Sequence, residues 1–144
     1  MTRTAAPSRW RIARTLEPTL DAVEQLCVDV RRRLKEQASP ADWYGVELLL
    51  REALTNAVVH GTPKAARGGT DAPVVRCDVA VGIRAARLVV SDDGPGFDWR
   101  RTLERPTLET ATCGRGLKIY EMYADRVSFN EAGNRVVLVR RFTK

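Results

Sequence analysis

An acid and an amide one helical turn apart, Glu52 and Asn56, stand in the run Glu52-Ala-Leu-Thr-Asn56-Ala-Val-Val-His60-Gly61; farther along come Asp92-Asp93-Gly94-Pro95-Gly96 and then Gly114-Arg115-Gly116-Leu117. Together these are the parts needed to grip a nucleoside triphosphate and a hard cation without a Walker-type loop. Mg²⁺ takes oxygen ligands in octahedral geometry, keeps several waters and substrate phosphates, and needs only one or two protein oxygens. Asn56 can supply one neutral oxygen. Glu52, a turn earlier on the same face, is placed to accept a proton from a nucleophile approaching a terminal phosphate. Asp92 follows Leu88-Val-Val-Ser, so its carboxylate emerges at the end of a buried strand. An acceptor there suits the exocyclic amine of adenine, whereas guanine presents an oxygen and would leave the acid unpaired. Gly94 and Gly96 permit positive φ and close approach of a base or ribose. Gly114, Gly116 and Leu117 open a helix, where unpaired amides and the dipole attract phosphate. Arg115 adds a positive charge that can meet one.

Each motif alone also has an ordinary reading. An acid on a helix face is commonly a solvated, ion-paired residue, Asp-Gly is a common turn, and a glycine pair serves equally as a cap or loop. His60 reads as a helix-end residue that packs or caps, with proton transfer as its other use. The order and spacing of the three motifs carry the argument.

The elements around them can be read from periodicity. Arg9 to Thr15 alternates bulky and polar residues and suits a short edge strand. Pro18 opens a helical pattern in which Leu20, Val23, Leu26, Cys27, Val30 and Leu34 recur at three- and four-residue steps. Ser39-Pro40-Ala41-Asp42 is a helix start, with a serine cap, proline at the first helical position and an acid placed as in a capping box. That helix ends at Gly61, before Pro63. Trp43, Val46, Leu50, Ala53 and Ala57 form its buried stripe, and Glu52 and Asn56 lie about 40° apart on a seam beside it.

Residues 64–73 read as a loop. Val74 to Val81 alternates, Gly82 turns, and Arg87 to Ser91 returns as the second strand of a hairpin. Residues 98–113 lack a period and suit a short mobile segment over a site. A helix follows Gly116 to about Ala124, and Val127–Asn130 and Val136–Arg141 form a second hairpin around Glu131-Ala-Gly-Asn134. The order β-α-α-β-β-α-β-β implies an α+β two-layer sandwich, with helices on one face of a mixed, mainly antiparallel sheet.

A chain of 144 residues suits one domain, here residues 9–144 behind a loose tail at 1–8. With 44% apolar and 29% charged residues the composition is that of a globular protein. No stretch approaches the roughly 18 apolar residues of a membrane span, and the N-terminus carries no secretory h-region, so a cytoplasmic location is expected. The cysteines Cys27, Cys77 and Cys113 lack metal-site spacing and read as small buried hydrophobes. A net charge of +6 invites a nucleic-acid reading. However, Glu17, Asp21, Glu24, Asp29 and Glu36 interleave with Arg31-Arg32-Arg33, as on a solvated helix face. Direct contact with nucleic acid is therefore not expected, and an acidic protein partner suits the surface.

On these residues the chain resembles the GHKL ATPase superfamily and, within it, the small anti-sigma factor serine-protein kinases. Glu52 to Gly61 is similar to the N box, Asp92-Asp93-Gly94-Pro95-Gly96-Phe97 to the G1 box, and Gly114-Arg115-Gly116-Leu117 to the G2 box; Asp125-Arg-Val to Gly133-Asn-Arg-Val-Val-Leu-Val resembles the closing hairpin. The likeness spans about residues 9–142. It implies a Bergerat-type fold with ATP between helices and sheet under a lid. By position, Asn56 would bind Mg²⁺, Glu52 would act as base toward a serine hydroxyl, and Asp92 would hold adenine. Gly94, Gly96, Gly114 and Gly116 would shape the pocket, with Arg115 and Leu117 beside the nucleotide. The implied partners are a sigma factor and an anti-anti-sigma factor of the STAS type, whose serine is phosphorylated; dimerisation through the N-terminal strand region is also implied. Thr112-Cys113 stand where some relatives carry an arginine, so the cation facing the γ-phosphate is Arg115 or a lid residue such as Arg105.

The expected activity is that of an ATP-dependent serine-protein kinase and anti-sigma factor. An ATP-binding anti-sigma module without kinase activity is the alternative. A sensor histidine kinase fragment ranks last, because no dimerisation helix with a phosphoacceptor histidine is evident and His60 lies in the nucleotide helix.

Overall fold

The structure, a computed structural model, describes residues 9–61, 73–96 and 111–143, with the side chains of 111–116 outside that description. The expected tail at 1–8, nearly all of the loop at 64–73 and residues 98–110 of the expected mobile segment also fall outside it. Eight elements follow in the expected order: β1 (Trp10–Leu16), α1 (Leu20–Leu34), α2 (Pro40–His60), β2 (Val75–Val81), β3 (Ala85–Asp92), α3 (Ala111–Tyr123), β4 (Arg126–Phe129) and β5 (Arg135–Arg141). The five strands form one sheet in the order β1-β2-β3-β5-β4, and every pairing among the described strands is antiparallel. This is the α+β architecture that the hairpins and helix order imply.

Alternation puts Val75, Cys77, Val79 and Val81 of β2, with Ala86, Leu88 and Val90 of β3, into one core with Val23, Leu26, Cys27, Val30 and Leu34 of α1. Leu20, expected in that stripe, is the first residue of α1 and is largely exposed. The helix begins two residues after Pro18 because the Thr19 hydroxyl accepts from the Ala22 N–H at 3.2 Å and caps it. The Ser39 cap and Pro40 start of α2 stand as expected. β3 is longer than its apolar run because Ala85 and Ala86 pair with Arg141 and Arg140 of β5. Tertiary pairing there overrides weak β-propensity.

α2 packs against α1, α3, β2, β3 and β5. Its buried face is wider than a single stripe: Leu49 and Leu54 join Val46, Leu50, Ala53 and Ala57, one side facing the sheet and the other α1, whereas Trp43 is only partly covered. Burial of each leucine contributes about 2 kcal/mol, so the middle of this helix is firmly seated. The basic run of α1 is engaged locally. Arg31 pairs with Glu47 at 3.1 Å, and the Arg33 guanidinium lies 5.2 Å from the Trp10 ring. Arg51 bridges Glu24 and Glu47. Burial pushes the Cys27 thiol up to about 11 and the Cys77 thiol up to about 12, so both behave as inert core residues.

At the N-terminus of α2, Asp42 is fully buried. It accepts from the Thr143 N–H at 2.9 Å and from the Thr143 and Ser39 hydroxyls at 3.1 Å each, and Arg140 stands 3.1 Å away. Arg140 also donates to the Tyr123 carbonyl at 2.8 Å. The acid expected to complete a capping box therefore also ties the end of β5 to the start of α2. Removing one partner of a buried pair leaves the other charge uncompensated, so Arg140→Met is expected to destabilise the protein by about 3 kcal/mol. Urea unfolding would measure it, and a loss within the range of a surface substitution would refute the assignment.

Candidate functional site

The C-terminal end of α2 meets the end of β3 more closely than any side chain allows. A Cβ on Gly61 would stand 2.3 Å from Cγ of Asp92 and 2.4 Å from the Ala57 carbonyl oxygen, and one on Gly94 would stand 2.1 Å from the Gly61 carbonyl oxygen. Glycine at both positions lets helix end, acid and turn come into contact. The Gly94 N–H then donates to Oδ1 of Asp92 at 2.7 Å, which turns the chain away from the strand and leaves Oδ2 for a ligand.

The β4–β5 hairpin closes on this turn from the other side. The Asp92 N–H donates to the Asn134 carbonyl at 3.0 Å, and Nδ2 of Asn134 donates to the Gly94 carbonyl at 3.0 Å. Gly96 has φ +78°, and a Cβ there would lie 1.8 Å from the Ala132 carbonyl oxygen. The hairpin is itself stapled by Oδ1 of Asn130, which accepts from the N–H groups of Gly133, Asn134 and Arg135 at 2.8, 3.0 and 3.2 Å. These contacts fix the backbone that carries Asp92.

Between α2, α3 and the sheet lies a cavity of about 310 Å³, within the roughly 300–1,000 Å³ typical of small-molecule sites. Of the residues singled out from sequence, Asn56, Asp92, Gly96 and Leu117 line it, and His60 joins them. Gly94 backs the Asp92 turn. Glu52 lies one turn before Asn56 and is outside the cavity wall formed by the described residues; burial first, and then the Glu52 charge, push the Tyr120 phenol's pKa up. Gly114 and Gly116 do not precede α3, as expected, but lie within it, since the helix begins at Ala111. Nothing in Ala111-Thr-Cys113 opposes helix, so Gly114 and Gly116 fall inside the element rather than before it. The side chain of Arg115, like Arg105, lies outside the described residues.

Sequence reasoning missed Tyr120, Phe129, Gly133, Asn134 and Arg135, all of which line the cavity. Tyr120 was accessible, being one turn past Leu117 and so on the same face of α3. The role of Asn134 depends on the hairpin folding back onto Gly94, which no local pattern announces.

The two neighbouring acids have opposite electrostatics. Burial pushes the half-buried Asp92 carboxyl above its usual range, against the Gly94 hydrogen bond that lowers it, with a smaller push from Asp93. Asp93 is exposed and held below that range, first by its hydrogen bond from Arg76 and then by the Val74 N–H, the former at 2.9 Å. Asp93 is thus a surface ion-pair residue, and Asp92 alone addresses the cavity. Ala53, Ala57, Val90, Leu117 and Val136 supply apolar walls, among which stand the Asp92 acceptor and the Asn56 carboxamide. Among the described residues no group of three or more His, Cys, Asp or Glu is placed to hold a metal. A Mg²⁺ ion would rest on Asn56 and on the oxygens of a bound triphosphate, which suits its coordination habits. Among the described residues no helix is long and apolar enough to cross a membrane.

A carboxyl whose folded pKa is raised contributes stability that is complete below its unfolded value and lost as pH rises through the folded one. Ionised Asp92 therefore weighs on the fold at neutral pH. Asp92→Asn is expected to raise the denaturant midpoint at pH 7, with the gap to wild type closing toward pH 4, and to lose binding of adenine nucleotides. Unfolding at the two pH values and calorimetric titration with ATP check both parts; a mutant less stable than wild type at pH 7 would contradict the first.

No curated protein matches the chain. A family model described as a histidine kinase-like ATPase domain matches residues 16–140, a span that takes in α2, the Asp92 turn, α3 and nearly all of the closing hairpin. With the five-stranded antiparallel sheet and helix-lined cavity, that match places the chain in the histidine kinase-like ATPase domain family.

Proposed function

We propose that this protein is an ATP-dependent serine-protein kinase and anti-sigma factor, which binds a sigma factor and phosphorylates a serine of a STAS-type anti-anti-sigma partner. The observation that carries the reading is the convergence of Asn56 and Asp92, from separate elements, on one apolar-walled cavity. Adenine would lie against Val90 and Val136 with its amine on Asp92, and the phosphates would extend toward Asn56 and the N-terminal part of α3. Mg²⁺ supplies charge neutralisation at the β- and γ-phosphates when bound, and phosphoryl transfer otherwise needs chiefly positioning and a base. Glu52, one turn from Asn56, is the base that would accept the serine proton as the hydroxyl oxygen bonds to the γ-phosphorus and ADP departs. The serine-kinase and anti-sigma assignments draw support from the three motifs resembling the N, G1 and G2 boxes, and the cytoplasmic setting goes with them.

A second reading, an anti-sigma module that binds ATP without chemistry, draws on the place of Glu52 outside the cavity wall. Glu52→Gln separates the two. In the kinase it should retain ATP affinity and lose phosphoserine formation by about 10²–10⁴-fold, the usual contribution of a general base. The assay is incubation with Mg-ATP and a cognate STAS-domain protein, read by phosphoserine mass spectrometry. Full transfer by the mutant would remove the base assignment, and no transfer by the wild type would favour the binding module.

A further inference from the structure

We propose that the face of the sheet turned away from the helices is a docking surface for an acidic α-helix of a protein partner. Strand alternation builds this face. Val75, Cys77, Val79 and Val81 of β2, Ala86, Leu88 and Val90 of β3, and Val136 and Leu138 of β5 are buried toward the helices, so the residues between them point the other way. Register then sets one row straight across the five strands: Arg11 opposite Ala80, Ala80 opposite Arg87, Arg87 opposite Val139, and Val139 opposite Arg126. Arginine stands on every second strand with a small apolar residue between, and the arginine positions recur at about 9–10 Å, twice the spacing of neighbouring strands. Val89 and Val137, paired in the adjacent row, widen the apolar floor, and Arg141, opposite Ala85, adds charge on the other side.

Much of that charge has no carboxylate to meet. Arg11 is paired with Asp78 and Arg76 with Asp93, but among the described residues no ion pair engages the exposed side chains of Arg87, Arg126 and Arg141. Asp125 accepts from the backbone N–H of Arg141. The rest of the chain is no acidic complement either: residues 62–72 hold Lys64 and Arg67 against Asp71, and residues 97–110 hold three acids and three arginines.

The geometry also selects the form of the occupant. A segment laid on a sheet face, unlike one at its edge, gains no backbone hydrogen bonds from the strands, so it must satisfy its own, as a helix does. Two helical turns rise about 10.5 Å, close to the spacing of the arginine row. Carboxylates seven residues apart can therefore meet successive guanidiniums, with apolar side chains between them covering Ala80 and Val139. Apolar centre and charged surround are the usual anatomy of a protein interface, and guanidinium pairs well with carboxylate. Nucleic acid fits less well, because no aromatic residue occupies an outward position of the five strands to stack a base. A second copy docked face to face would set arginine against arginine, a like-charge arrangement.

The test uses the full chain and a fluorescein-labelled, alanine-based helical peptide with glutamate at every seventh position and leucines between them on the same face. Arg87→Glu with Arg126→Glu should weaken its binding about tenfold or more, since two pairs are lost and repulsion is added. Arg32→Glu with Lys35→Glu, the same change of net charge at exposed positions at the end of α1, should leave binding unchanged. Arg87→Gln with Arg126→Gln should show a smaller loss in the same direction, so a folding defect of the charge-reversed protein would not hide the result. Wild-type binding weaker than about 1 mM, or an equal loss in the α1 variant, would overturn the proposal. So would tighter binding of poly-uridine RNA or duplex DNA through Arg87 and Arg126, which would give the face to nucleic acid, or self-association abolished by the same substitutions, which would give it to a second copy. The face lies across the sheet from the cavity and no arm of the test involves ATP, so its failure is distinct from failure of the kinase reading.

Discussion

The site depends on one close approach: the backbone at the end of α2 lies against the Asp92 carboxylate with no side chain between them. Gly61 and Gly94 make this possible, because a Cβ at either would fall inside the van der Waals envelope of its neighbour. Everything the cavity offers is referenced to that contact. It sets the depth of Asp92 relative to Asn56, since both the acid and the amide are then measured from the same helix. It also makes the acid half-buried, the cause of its raised pKa. A carboxylate in solution is an indifferent partner for an adenine amine, because water competes; one drawn partly out of water gains from pairing what it lost in hydration.

The rest of the fold holds α2 so that this contact does not drift. At its start, Asp42 is locked to Arg140 and Thr143 at the end of the chain; in its middle, Leu49, Leu50 and Leu54 are fully buried; at its end, the Asn130-stapled hairpin clasps the Asp92 turn through Asn134. β5 takes part at both ends. Arg140 near its C-terminus reaches the start of α2, and Asn134, just before its N-terminus, reaches Gly94. A strand that carries no residue of the N, G1 or G2 boxes thereby fixes the distance between the two ends of the helix that carries Asn56.

Much of this was legible in the sequence because the relevant forces are local. The alternation of β2, the Ser39-Pro40 cap and the position of Asp92 at a strand end are all set by near neighbours, and each appears where the pattern puts it. The places where the pattern fell short are those where distant partners decide. Leu49 and Leu54 are buried because α1 covers a second side of α2, which a single-stripe pattern does not foresee. Asp42 reads as a capping acid from its spacing to Ser39, but its principal charged partner is Arg140, far along the chain.

The start of α3 shows the same competition between local and distant terms, and its energetics bear on the phosphate end of the site. The glycine motif implies free amides at a helix start, yet the helix runs from Ala111 through Gly114 and Gly116. Each of those glycines makes the helix about 1 kcal/mol less favourable than alanine would. Farther along the helix, Leu117 and Tyr120 are buried in the core and offset that cost. Burial at Leu117 and Tyr120 therefore anchors the helix against the cost of its two glycines. In the proposed nucleotide site, the purine would face the end bounded by the contact of Gly61 with Asp92, and the glycine-bearing turns of α3 would face the triphosphate.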